Sequence, residues 1–162
     1  MKLRPKQILI LVGLLVFIPF AVYVVVGTVF SIRARSLPNQ ALFSKGKFPD
    51  PLPDGDMQGH AIYQASWLGK SFTAKDNRGI NRFNENGRTA KHIPFITYKG
   101  YGVNDPELEV LKIDYNIPGN PIYLRFILDE IVEVAPGQYL GKLHVRIIPF
   151  LPFTIEYFTL NS

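Results

Sequence analysis

Asp129 and Glu130 stand side by side in "LDEIVEVA" (128–135), and paired carboxylates are what general acid–base chemistry uses. Adjacent residues on a strand point to opposite faces, so this segment alone does not make them an acid/base pair. Either remains open singly as the base of a small enzyme acting on a membrane-borne substrate. Glu107 and Glu109 share a face, near Asp114, and such a run is expected as an exposed acidic face. A carboxylate held inside a barrel and facing Arg125 or Arg146 would be another matter, because burial shifts pKa values and marks functional sites.

Other motifs carry less. "GKS" (69–71) echoes the end of a phosphate-cradling loop, but Gln64 stands where a glycine is needed and the context is a strand. His60, His92 and His144 have no i, i+2 or i, i+4 partner to begin a metal site. No Gly-x-Ser-x-Gly elbow presents a serine, and the chain has no cysteine. No catalytic residue, metal or cofactor is assigned. Arg78, Arg82 and Arg88, if gathered on one edge, have the chemistry to hold a lipid phosphate through forked hydrogen bonds; a solvated rim is the expectation.

The unusual feature is apolar. "IIPFLPF" (147–153) joins greasy residues to Pro149 and Pro152, which exclude a helix and a central strand. With Phe 12 and Tyr 8 in the chain, aromatic residues exceed the needs of a small core, and Phe43, Phe48, Tyr98, Tyr101 and Phe150 are expected in loops. Three readings are open for 147–153: a plug at one end of the domain, a second membrane contact beside an anchor, or part of a portal for a lipid-like ligand. Ligand or membrane contacts are expected from Trp67, Tyr115, Phe126, Tyr139, Phe150, Leu151 and Phe153. Buried polar or anion contacts are expected from Arg82, Arg125, Asp129 and Arg146.

These residues need elements to position them. Ile8 to Ile32 contains no charged side chain, and about 20 helical residues cross a hydrocarbon core roughly 30 Å thick. The run is too long for a cleavable signal peptide and lacks its small-residue cleavage pattern, so a single-pass signal anchor is expected. Lys2, Arg4 and Lys6 precede it; Arg33 and Arg35 follow. With these set aside, basic and acidic residues balance from Ser36 onward, which removes the case for nucleic acid and assigns the excess charge to membrane edges. The compact basic cluster before the helix places the N-terminus on the cytoplasmic side and the C-terminal domain opposite. Pro19 predicts a kink.

Residues 1–35 thus read as tail and transmembrane helix (8–32), and 36–58 as a Pro/Gly-rich linker in which Pro49, Pro51 and Pro53 favour polyproline II. Leu42, Phe43 and Phe48 are too apolar for a pure spacer. Residues 59–162 read as strands at 61–65, 69–74, 80–84, 89–98, 108–116, 128–135, 138–147 and 153–160. Asn86-Gly87 is the strongest hairpin signal and Pro136-Gly137 a second turn. "LEVLKIDYN" (108–116) puts Leu111, Ile113 and Tyr115 on one face and Lys112 and Asp114 on the other, the pattern of a half-buried strand. "NPIYLRF" (120–126) predicts a short helix with Asn120 as N-cap and Pro121 at the first position. The expected fold is mainly β: a small antiparallel barrel with one short helix, after a transmembrane helix.

The order "WLGKSF…RGINRF…KIDYN…NPIYLRFILDEIVEVAPGQYLGKLHVR" resembles a family of small bacterial β-domains of lipocalin-like form, over residues 59–160. The chain lacks the lipocalin G-x-W, since Trp67 is followed by Gly69. The resemblance implies a compact barrel with an internal or half-open apolar face and names no ligand. The leading functional expectation is a non-enzymatic, membrane-anchored barrel that binds a lipid, quinone or pigment near the bilayer. The second is an accessory subunit of a larger membrane complex.

Overall fold

The computed structural model describes residues 4–62 and 64–162. Lys2 lies outside the described residues, as does Tyr63 of the expected strand 61–65. The apolar run forms helix α1 (Pro5–Ser36), and Pro38–Phe43 forms the short α2. Eight strands follow: β1 Gly55–Ala61, β2 Trp67–Thr73, β3 Arg78–Glu85, β4 Arg88–Tyr101, β5 Glu109–Asp114, β6 Ile127–Ala135, β7 Gln138–Val145 and β8 Phe153–Asn161. Each pairs antiparallel with the next, and β8 returns to β1 (His60 opposite Thr159), closing the barrel. Closure leaves no unpaired edge.

Local chemistry explains the joints. Asn86 and Gly87 have φ of +54° and +80°, the left-handed pair a type I′ hairpin demands. β4 carries Pro94, which has no N–H for a ladder. A bulge absorbs it: Ile80 faces Pro94, Asn81 faces His92, and Ile93 is left over with φ of +58°. That angle is a true outlier for a β-branched residue. In β2 the pairing slips between Trp67 and Gly69. Gly69, at φ +114°, has its α-carbon so close to β1 that an added Cβ would lie 2.1 Å from the Met57 carbonyl oxygen.

Three expectations are corrected. The first strand is β1, ending at Ala61, where 61–65 was expected. The span 36–58 is no extended connector at its start, because α2 folds back and buries Phe43 completely, while Lys47 bridges to Glu133 of β6. Burying that ring outweighs the stiffness of the prolines, which sit further on. Residues 120–126 form a turn and a 3₁₀ segment at Leu124–Phe126. Asn120 does not cap it; its side-chain amide donates to the carbonyls of Pro94 (2.8 Å) and Tyr115 (2.9 Å).

Alternation along the strands sends Leu111, Ile113 and Tyr115 inward as expected, into a core with Phe72, Phe95, Ile131 and Leu160. β5 is not half-buried, however. Lys112 and Asp114 on its outer face are buried too: Lys112 pairs with Glu130, which accepts from Val103 of the 102–108 loop, and Asp114 is held by Arg146 and the Tyr98 hydroxyl, while α2 and the end of α1 cover the outer wall beyond them. A second core lies there, with Ala34, Phe43, Val110, Val132, Leu140 and Tyr157.

α1 is two things in succession. Through Phe20 its described side chains are exposed; from Tyr23 onward one face lies along β8. Tyr23, Gly27, Ser31 and Ala34 recur at helical spacing. Tyr23 stacks on Phe153 at 4.6 Å between ring centroids and its hydroxyl donates to the Leu151 carbonyl at 3.1 Å. The Ser31 hydroxyl accepts from the Thr154 N–H at 3.1 Å. Gly27 is the point of closest approach, where a Cβ would stand 1.9 Å from the Phe153 ring. Gly27→Leu is therefore expected to cost about 1–3 kcal/mol through overpacking, read by urea unfolding of the full chain in mild detergent. Gly13→Leu, with open space around Gly13, is the control and should cost nothing measurable. Equal effects would mean that α1 does not dock on β8.

Candidate functional site

In an up-and-down barrel alternate loops share an end. The loops 62–66, 86–87, 115–126 and 146–152 therefore lie together at the end where Tyr23 meets Leu151, the end from which the exposed part of α1 projects. There the barrel is not full. A cup of about 60 Å³ opens between the strands; an ordered water needs roughly 10–15 Å³ by this measure, so it admits a polar head and a few carbons rather than a whole lipid.

The wall of the cup is largely apolar, with Phe83, Ile93, Leu124, Ile127, Leu143 and Phe158, though Gln64 and the buried Glu156 also border it; its floor is polar, with Trp67, Lys70, Asn81, Tyr115 and Asp129. Lys70 is the centre of the floor. Its ammonium donates to Asn81 Oδ1 (3.0 Å), to Asp129 Oδ2 (2.9 Å) and to the Tyr115 hydroxyl. It also lies 5.2–5.3 Å from the ring centroids of Trp67, Phe95, Tyr115 and Phe158, within cation–π reach. Trp67 Nε1 donates to Asn81 Oδ1 (3.0 Å), and Tyr115 donates to Asp129 Oδ2 (2.9 Å). The Asn81 amide donates to the carbonyl of the strained Ile93 (3.0 Å), which ties the bulge to the floor.

Burial pushes Lys70 below the ordinary lysine value, opposed by the charge and hydrogen bond of Asp129. The same burial, with the Asp129 charge beside it, raises Tyr115 well above an ordinary phenol. All three N–H of Lys70 are spent on acceptors, so it presents no lone pair and is not arranged as a nucleophile. The floor does keep an open acceptor: Asp129 Oδ1 is buried and has no hydrogen-bond partner among the described residues. A buried carboxylate oxygen left so carries a desolvation cost.

Asp129 and Glu130 do point oppositely. Glu130 faces the covered outer wall, away from the cup. It accepts from the Val103 N–H (2.7 Å) and from Lys112, with His144 Nε2 3.1 Å from its other oxygen. Burial alone would push Glu130 up, but His144 and the Lys112 ammonium pull harder and bring it down to about 2. Among the described residues no histidine and carboxylate group is arranged to hold a metal; His92 pairs with Glu85 at the surface.

Of the sequence-derived contacts, Trp67, Tyr115 and Asp129 meet in the floor. Tyr139 is buried in the core toward the other end, Phe126 is half-buried at the end of the 115–126 loop, and Phe153 is buried against α1. Leu151 is half-buried, bonded through its carbonyl to Tyr23, while Phe150 is 84% exposed. "IIPFLPF" thus lies beside α1. Neither arginine faces an internal carboxylate: Arg146 pairs with Asp114 and Arg125 with Asn116 (2.9 Å), outside the barrel, because Asp114 alternates with the inward Ile113 and Tyr115. Arg82 lies over Gly69 on the outer wall, donating to the Met57 carbonyl (3.3 Å). Arg78 and Arg88 open β3 and β4 at opposite ends of the hairpin, so the three arginines do not gather.

Sequence reasoning missed Lys70 and Asn81. The signal existed: Lys70 shares strand parity with Phe72, and Asn81 with Phe83, each a polar residue on an apolar face.

Fold and site define an eight-stranded up-and-down barrel with a half-open, polar-floored cup and a long apolar N-terminal helix docked on its last strand. The helix is long and apolar enough to cross a membrane. Compared with known proteins, the chain matches no family model, no curated protein and no solved structure.

Proposed function

We propose that this protein is a single-pass, membrane-anchored β-barrel that binds, without catalysis, the head of a hydrophobic molecule drawn from the bilayer. The observation that carries the reading is the shared end: the cup opens where the apolar half of α1 leaves the barrel. A ligand whose chain stays in the membrane needs only its head inside, which is what a cup of this size holds. The floor adds chemistry to the reading. With the Lys70 donors spent and Asp129 Oδ1 open, a neutral head bearing an O–H or N–H fits, as in a long-chain alcohol or a hydroquinone, and a carboxylate head does not. On this reading the basic N-terminal edge is cytoplasmic and the barrel lies across the membrane.

Native mass spectrometry of the full-length chain, released from its own membrane in mild detergent, tests this. The expected species is near 18.4 kDa with one discrete small-molecule mass that lyso- or diacyl-phospholipid does not account for. A bare 18.4 kDa chain would overturn ligand binding. A species many times heavier would make the protein a subunit of a membrane complex instead.

A further inference from the structure

The loops around the cup carry large apolar side chains in water-exposed positions. Ile62 is 74% exposed, Ile122 65%, Tyr123 68%, Ile147 52% and Phe150 84%. They come from three separate loops, far apart in sequence, and the barrel topology brings all three to the mouth end. The fourth loop there, Asn86-Gly87, is polar. The turns of the opposite end contrast with them: residues 74–77, 102–108 and 136–137 include Lys75, Asp76, Asp105 and Glu107, and none of the exposed large apolar side chains lies in them. Beyond α1 the other exposed large apolar side chains, Leu37, Leu42, Tyr98 and Tyr101, sit on or beside α2 and on β4 rather than in loops; scattered exposed apolar residues need no explanation, but a set gathered from three loops at one end marks a contact surface.

We infer that Ile62, Ile122, Tyr123, Ile147 and Phe150 form a membrane-inserting rim, so that the barrel stands mouth-down on the bilayer and its cup opens into the lipid interface. This deepens the proposed function and rests on its reading of α1 as a membrane span. Two observations choose lipid over a protein partner. The rim is continuous with the apolar helix, because Tyr23 of α1 is bonded to Leu151 and accepts from the Ile148 N–H (3.4 Å) inside the rim loop itself. The length also fits: Ile8 to Val22, the uncharged stretch clear of the barrel, spans only about 22 Å at about 1.5 Å per residue, short of the ~30 Å hydrocarbon core, so the mouth must sit at the bilayer's edge for the span to be completed. A helix docked rigidly on β8 with only that length free brings the mouth to the head-group level. Tyr123 suits that depth, where one end of a ring is apolar and the other wet. A ligand would then pass from bilayer to cup without crossing water.

The chain has no cysteine, so single-cysteine labelling is clean. Val16→Cys, Ile122→Cys, Phe150→Cys and Lys75→Cys, each in the full chain and carrying an NBD fluorophore, are reconstituted into phosphatidylcholine vesicles with lysine-75-side accessibility confirmed by added iodide. Position 16 reports the span, 122 and 150 the rim, and 75 the far end. The expected result is quenching by chain-brominated phosphatidylcholine and loss of iodide quenching at 16, 122 and 150, with the reverse at 75. Should 16 respond to brominated lipid while 122 and 150 behave like 75, the rim is wrong and the anchor stands. Iodide quenching at 16 would overturn the anchor, and the rim with it.

Discussion

Lys70→Met is expected to destabilise the barrel by about 3–5 kcal/mol, because removing one partner of a buried ion pair leaves the other charged and alone. Lys70 and Asp129 are each only 2% exposed, and the ammonium also holds Asn81 and Tyr115 in place. Asp129→Leu should cost a similar amount for the mirror reason. The double variant Lys70→Met/Asp129→Leu should recover most of the loss, since replacing a buried pair with apolar groups of like volume is often neutral or better. Urea unfolding of the full chain in mild detergent, followed by circular dichroism, measures all three. Additive losses would mean that the two charges do not act as a pair. The sign of the pH response gives a second check. Burial already lowers Lys70, with Asp129 opposing; in Asp129→Leu the opposition is gone. A lysine held below its unfolded value makes the unfolded chain bind more protons, so stability rises with pH. The Asp129→Leu chain should therefore gain stability as pH climbs toward the ordinary lysine value, more steeply than the parent.

The second large effect is expected at Glu130→Gln, on the outer wall. Glu130 is fully buried, and its charge answers Lys112, itself 7% exposed. Neutralising it should cost about 3 kcal/mol, taking about 1.4 kcal/mol for each unit between the ordinary glutamate value and about 2. The direction with pH follows from a folded value below the unfolded one: the contribution is whole above about 4.5 and is lost as pH falls toward about 2. The parent chain should lose stability across that window, and Glu130→Gln should show a shallower loss from a lower start. A parallel acid profile in the two chains would remove Glu130 from the account. The 102–108 loop should loosen as well, since Val103 loses a charged acceptor, and faster amide exchange at Val103 would report it.

Much of the fold was legible from the chain because its cues are local. Strand alternation places Leu111, Ile113 and Tyr115 on one face whatever surrounds them, Asn86-Gly87 prefers the one turn that joins a tight hairpin, and an uncharged apolar run makes a long helix. What alternation does not report is whether the second face is covered. Lys112 and Asp114 read as solvent-facing and are buried, because Glu130 and the 102–108 loop close over the first and Arg146 and Tyr98 over the second, none of them neighbours in sequence. The linker prolines described the chain's stiffness but not the hydrophobic gain of seating Phe43.

The site divides the same way. Trp67, Tyr115 and Asp129 were identifiable as inward or candidate polar residues by type and parity. Their meeting was not, nor was Lys70 as the partner of Asp129 in place of an arginine, because cross-barrel distances depend on closure and on bulges at Gly69 and Ile93 that each shift register by one residue. By itself, the sequence determined the helix, the strands, the main hairpin and the opposite facing of Asp129 and Glu130, all consequences of backbone period and turn chemistry within a few residues. Only the tertiary structure decided that the cup, the apolar loops and the free half of α1 share one end, since that follows from how many strands separate them and from the docking of Gly27 on Phe153.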